Sequence, residues 1–305
     1  MLLLLTIALL IAGNYFYNQA VKRGTEVELY SESGESNALA SEEDQIHLKQ
    51  AEDWFHQQEK EPLDLETEKG FKIKAQFIAQ QTPQQKGVIL VHGFRNTSDD
   101  MGKLAKFYYD QGFDVLLPDA RGHGKSEGDY IGFGWHDRLD IMQWIDFLTF
   151  YGNEQIVLHG NSMGAATVLM TSGEELPDEV KGIIADSSYS TVKAELAHQL
   201  SHIYNLPAFP LLNVTSFITN MRAGYTFGEA SVIKQVAKNT RPLLLIHGDA
   251  DDLVPTNMSQ EIYDVATSEK ELWIVEDAGH TKSYDNITLE FEQHVHNFLD
   301  NVITQ

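Results

Sequence analysis

Residues 155–173 read QIVLHGNSMGAATVLMTSG. QIVLH is a short, continuously apolar run of the kind that forms a strand buried on both faces of a parallel sheet. AATVLMTSG continues as a helix. Between them stands Gly160-Asn161-Ser162-Met163-Gly164, a G-x-S-x-G pattern at a strand-to-helix junction. The small residues let the chain turn sharply, which holds Ser162 in a strained position with its hydroxyl exposed at the tip. The helix N-terminus behind it favours developing negative charge. A serine that only caps a helix is the bland reading, and the strand-turn-helix context argues for a nucleophile instead.

Runs like QIVLH recur on both sides: GVILVHG at 87–93, FDVLLPD at 113–119, KGIIADS at 181–187, PLLLIHG at 242–248 and ELWIVED at 271–277. FKIKAQFIA at 71–79 alternates and suits a half-exposed strand. Helical segments separate them. Thr97 or Ser98 caps 99–111, which stops at Gly112, and 137–150 carries Leu139, Ile141, Met142, Ile145 and Leu148 along one side. The pattern predicts an α/β domain with a mostly parallel, doubly wound sheet and right-handed crossovers.

In such a sheet, chemistry belongs beyond the carboxyl ends of the strands. A serine nucleophile needs a base, and the base needs an orienting carboxylate. Of the 12 histidines, His294 and His296 fall in a C-terminal helix, and His47, His56, His198 and His202 in helical segments outside the sheet. His92, His159 and His247 each precede a glycine at a strand end and suit loop orientation. His280, in GHTKSY after the last strand, is free to reach the serine and is the expected general base. Asp251, in HGDADDLVP, is the expected acid, giving the chain order Ser162, Asp251, His280. Asp186 is the runner-up, and Asp249 and Asp252 suit turn and capping positions. Two backbone N–H groups, those of Phe94 and Met163, are expected to form an oxyanion hole.

Other chemistries fall away. Twenty-two Lys and Arg against 45 Asp and Glu give a net charge of −23, the wrong sign for a nucleic-acid partner. Cysteine is absent, which removes disulfides, thiol nucleophiles and Cys-based metal sites. GHGKSEG at 122–128 resembles a phosphate loop, but Asp119 stands where its first glycine belongs. The acids at 249–252 do not make a calcium loop, because Leu253 and Gln260 occupy ligand positions. With no H-E-x-x-H spacing either, neither a metal nor a cofactor is expected.

The charge is uneven. Residues 24–70 hold 14 Asp and Glu against Lys49, Lys60 and Lys69, a net of −11. Residues 24–40 read as a solvated acidic linker and 41–58 as a helix laid against the domain, with Ser41 and Asp44 as its capping pair. Ahead of them, MLLLLTIALLIAG has no polar face and runs into Tyr15, Phe16 and Tyr17. Residues 1–23 are therefore expected to be an uncleaved membrane anchor, with the acidic segment as a spacer holding the domain off the membrane. Lys22 and Arg23 follow the apolar run and nothing basic precedes it, which favours a cytoplasmic domain by the positive-inside rule.

Together, HGF at 92–94, PDARGHGKSEG at 118–128, GNSMGAAT at 160–167, HGDADDLVP at 247–255 and GH at 279–280 resemble the serine hydrolases of the α/β-hydrolase superfamily. More narrowly, they resemble a bacterial, often membrane-anchored branch near cinnamoyl esterases and acyl-peptidase-like hydrolases. The resemblance spans about residues 50–300. It implies the α/β-hydrolase fold over 59–305, a cofactor-independent carboxylic ester hydrolase acting on a small-molecule ester, and an extracytoplasmic domain. A peptidase or amidase on blocked peptides uses the same three residues. A non-catalytic binding protein should lack one of them. Dehalogenases and epoxide hydrolases carry Asp at the position of Ser162. Residues 189–240, inserted between two strands, are expected to form a small helical cap whose Tyr204, Phe209, Phe217 and Tyr225 are candidates to line an acyl pocket for short-chain or aromatic groups, with packing inside the cap itself as the alternative for each.

Overall fold

A computed structural model describes residues 2–24, 40–67 and 70–303. In chain order the elements are α1 (Leu2–Ala20), α2 (Glu42–Gln57), β1 (Glu61–Glu66), β2 (Lys72–Ile78), β3 (Lys86–Val91), α3 (Gly102–Asp110), β4 (Phe113–Asp119), α4 (Asp137–Tyr151), β5 (Gln155–Asn161), α5 (Met163–Thr171), β6 (Val180–Asp186), α6 (Val192–Tyr204), α7 (Leu211–Ala223), α8 (Val232–Val236), β7 (Leu243–Gly248), α9 (Asn257–Val265), β8 (Lys270–Val275), α10 (Ser283–Asn286) and α11 (Thr288–Val302). Eight strands make one sheet in the order β1-β2-β4-β3-β5-β6-β7-β8, parallel from β4 onward. This is the expected α/β-hydrolase fold. The apolar runs are its buried central strands: β4 and β7 are buried at every residue, as strands covered by helices on both faces must be.

One strand escaped the sequence. β1, EPLDLE, pairs antiparallel with β2 at the sheet edge, where a proline and exposed acids are tolerated because one side of the ladder goes unused. The helix at 137–151 also differs in detail. Its buried face is Asp137, Asp140, Ile141, Trp144, Ile145 and Leu148, so Leu139 lies off the stripe and is exposed. The segment before Gly112 starts as a short 3₁₀ turn at 98–101, capped by Thr97 and Asp100, and becomes helical only at Gly102.

Ser41 and Asp44 form a reciprocal capping box at the start of α2, and Leu48, Ala51 and Phe55 turn inward while Ile46 stays exposed. Of the acidic linker, residues 25–39 lie outside the described residues. What precedes them packs on the domain. Val21 is fully buried and its carbonyl accepts the Ile131 N–H. Lys22 bridges Tyr130, and the Arg23 guanidinium donates to the carbonyls of Gly124, Ser126 and Gly128. The apolar helix is thus joined to the domain directly, before the acidic segment begins. Arg23 spends its donors on the GHGKSEG loop, which is further tied to Asp119 through the Lys125 N–H.

Between β6 and β7, helices α6 and α7 form the cap, while α8 packs on α5 and α9 in the body of the domain. A bridge between Thr191 and Ser231 closes its base. Helix α1 lies along α7: a Cβ at Gly13 would meet Val214 and Ile218, and Arg222 stacks on Tyr17.

Candidate active site

Ser162 sits between β5 and α5 at φ 55°, ψ −116°, a positive-φ backbone that a non-glycine residue adopts only under tertiary constraint. Its N–H is held by the Asp186 carbonyl at 2.8 Å. The glycines of the motif owe their identity to close approach. A Cβ on Gly160 would fall 2.3 Å from the Gly164 carbonyl, and one on Gly164 would fall 2.0 Å from Val91 O. No side chain fits at either position, so the turn stays sharp and the hydroxyl points out over the carboxyl edge of the sheet.

Two loops meet it there. His280, after β8, places Nε2 2.8 Å from Ser162 Oγ, and its Nδ1 lies 2.7 Å from Asp251 Oδ2. The carboxylate at Nδ1 sets the tautomer: Nδ1 carries the proton and Nε2 accepts from the serine. Asp251, after β7, also accepts the Leu253 and Val254 N–H groups at Oδ1, and His247 Nε2 lies 3.1 Å from its Oδ2. Burial pushes the Asp251 carboxyl up, but hydrogen bonds and charge from His247 and His280 outweigh it and leave the group well below the usual carboxylate range. A hydroxyl whose proton can pass to an imidazole that a fixed carboxylate orients is what acyl transfer requires. The runner-up acid, Asp186, turns to Ser187 instead, and burial raises it to about 6.

The loop after β3 completes the floor. A Cβ on Gly93 would lie 3.4 Å from Ser162 Cβ, so the Gly93-Phe94 backbone passes against the serine. His92 holds that loop, with Nδ1 on the Gly93 carbonyl and Nε2 accepting the Ala120 N–H; burial pushes its pKa down and favours the neutral ring that can accept. Met163, the first residue of α5, has no acceptor within its own helix for its N–H.

Ser162 stands between two spaces of opposite character. On the cap side is an apolar cavity of about 110 Å³ walled by Phe94, Phe133, Leu196, Leu200, Leu211 and Leu212, with Phe16, Gln19 and Ala20 of α1. On the other side a polar cleft of about 480 Å³ runs past His280 to His56, Asn96, Asp99, Lys103 and Lys282. Tyr204 lines the cavity, stacked edge-on against Phe16. The other three predicted pocket residues do not line it. Phe209 and Phe217 project outward, 76% and 58% exposed. Tyr225 is buried in the core with its hydroxyl on the Ile131 carbonyl. Their aromatic character alone could not say which helix face would look inward.

Two features went unread in the sequence. The first is α1 itself as a cavity wall. The second is Glu195, a carboxyl on the inner stripe of α6 (Val192, Glu195, Leu196, Gln199, Leu200). Burial raises its pKa to about 8, so it is neutral at pH 7. Gln199 donates to one of its oxygens at 2.9 Å. A glutamate among the apolar residues of that stripe, with Gln199 one turn on as its partner, was the available signal. Among the described residues, no three His, Asp or Glu side chains converge as metal ligands would.

The sequence profile of the α/β hydrolase fold matches residues 87–208. An uncharacterised Bacillus subtilis protein, YqkD, is 31% identical over 251 residues, 81% of this chain and 82% of that one. A thermostable monoacylglycerol lipase of a Bacillus species is 26% identical over 68% of this chain and 87% of its own. Among solved structures, the esterase Pf2001 of Pyrococcus furiosus is similar at a TM-score of 0.67 and 26% identity, covering 81% of this chain and 94% of that one. The chain belongs to the serine hydrolases of the α/β-hydrolase superfamily.

Proposed function

We propose that the chain hydrolyses carboxylic esters with Ser162 as nucleophile, His280 as general base and Asp251 as its orienting acid. The unbroken line of hydrogen bonds from Ser162 Oγ through His280 to Asp251 carries this reading. His280 takes the proton as Ser162 attacks the ester carbonyl, and the Phe94 and Met163 N–H groups receive the oxyanion. The protonated imidazole then gives its proton to the leaving alcohol. Water attacks the acyl-enzyme with His280 again as base.

The two spaces beside Ser162 suggest how the substrate lies: acyl group in the apolar cavity, alcohol in the polar cleft. Phe16 and Tyr204 meet edge-on in the wall of this cavity of about 110 Å³, a size that favours short-chain or aromatic acyl groups. A peptidase on blocked peptides would use the same three residues, and matched p-nitrophenyl esters and anilides separate the two.

Ser162→Ala should abolish p-nitrophenyl ester turnover and fluorophosphonate labelling while leaving the circular dichroism spectrum unchanged. Labelling or turnover that survives the substitution refutes the assignment.

A further inference from the structure

Helix α1 is the one helix among the described residues long and apolar enough to cross a membrane, and only 11% of Leu3–Ala20 is buried. Its two halves behave differently. From Leu9 onward the half-buried and buried positions are 9, 12, 13, 14 and 16–20, a helix face at first and nearly the whole circumference by the last turn, and Gly13 and Tyr17 on it meet α7 of the cap. Leu3, Leu4, Ile7 and Ile11 stay exposed.

The half that docks is the half that walls the cavity, through Phe16, Gln19 and Ala20. Contacts with α7 run in the same sense along both helices, Gly13 with Val214 and Ile218, then Tyr17 with Arg222. The start of α7, with exposed Phe209 just before it, therefore points the same way as the bare end of α1. The fully exposed stretch of α1, residues 3–8, is roughly 9 Å long at 1.5 Å per residue, about a third of a ~30 Å hydrocarbon core. A docked α1 that buries its bare half in lipid brings the cap down to the lipid surface.

We propose that α1 stays docked on the cap while its bare half lies in a lipid bilayer, so that the acyl cavity opens at the lipid surface and takes uncharged esters partitioned in the bilayer. The exposed Phe209 and Phe217, wrongly expected inside the pocket, are then contacts to lipid. The substrate class rests on the ester-hydrolase reading above; the placement of α1 and the cap does not.

The absence of cysteine makes the test clean. A Cβ on Gly13 lies 3.3 Å from Val214 Cβ, close to the ~3.8 Å of a disulfide. The full chain carrying Gly13→Cys and Val214→Cys is reconstituted in phosphatidylcholine vesicles and oxidised. The pair should cross-link there as in detergent, and the locked enzyme should turn over vesicle-held p-nitrophenyl benzoate within about twofold of its reduced form. Separately, Phe209→Trp should lose about half its added fluorescence to nitroxide-labelled phosphatidylcholine. Phe150→Trp, exposed at the opposite edge of the sheet where α4 leads into β5, should lose none.

Failure to cross-link, fluorescence of the Phe209→Trp variant that stays unquenched, or about a tenfold loss of turnover on locking overturns the proposal. Water-soluble p-nitrophenyl acetate keeps the two readings apart. If the unmodified chain leaves it intact, the ester-hydrolase reading fails, while cross-linking and quenching still judge where α1 and the cap reside.

Discussion

Glu195→Gln removes one ionisation from the wall of the cavity and nothing else of comparable size. The Gln199 amide that donates to Glu195 Oε1 at 2.9 Å can donate equally to an amide oxygen. In the unfolded chain Glu195 ionises near 4.5, but burial in the folded state moves it to about 8. Each pH unit between those values costs the folded state about 1.4 kcal/mol. A raised folded value means the wild-type chain has full stability from this group below pH 4.5 and loses it as pH rises through 8. The loss is about 3 kcal/mol at pH 7 and about 5 kcal/mol above pH 8. These are upper limits, because opening the cap to water relieves the ionised carboxylate. Urea denaturation of both proteins in detergent, from pH 4 to 9, checks it: the midpoints should coincide at pH 4 and separate steadily to pH 8 in favour of Glu195→Gln. Parallel curves across pH 5 to 8 would refute the argument that a neutral carboxyl is held in this wall.

Asp251→Asn should lower kcat on p-nitrophenyl esters by on the order of 10⁴ with little change in KM, since an amide cannot hold the His280 tautomer; a loss below tenfold would move the orienting role elsewhere. Gly164→Ala places a methyl 2.0 Å from Val91 O, so soluble yield and fluorophosphonate labelling should both collapse, and a folded, labelled variant would contradict the close approach. Arg121 pairs through two hydrogen bonds with Asp140 in the core. Arg121→Met should destabilise by about 3–5 kcal/mol, because it strands a buried carboxylate. Urea midpoints measure the loss, and Arg121→Met combined with Asp140→Leu should recover most of it.

How much could be read from residues alone varied with the length scale of the information. Buried strands and the G-x-S-x-G turn are local: hydrophobic runs, small residues and helix starts announce themselves within ten residues. Chain order then singled out Asp251 and His280, since strand ends in a parallel sheet converge on one edge whatever the loops do. β1 was missed because its alternation rests on Leu63 and Leu65 alone, among Pro62 and three acids in an acidic stretch. Phe209, Phe217 and Tyr225 were placed in the pocket on composition, yet which face of a cap helix turns inward depends on where the whole insertion lands.

The N-terminal helix marks the division most sharply. Apolar character over residues 1–17 is a property of the sequence, and it established a segment fit for lipid. That Phe16 and Ala20 also wall the space beside Ser162 depends on Val21 and Arg23 being stitched to residues 124–131, contacts a hundred residues apart that no local pattern encodes. Hydrophobicity is additive along a chain and can be read from it. The neighbours that a hydrophobic surface meets are set by the fold as a whole, and so only the tertiary structure could decide that the helix read as an anchor also walls the cavity beside Ser162.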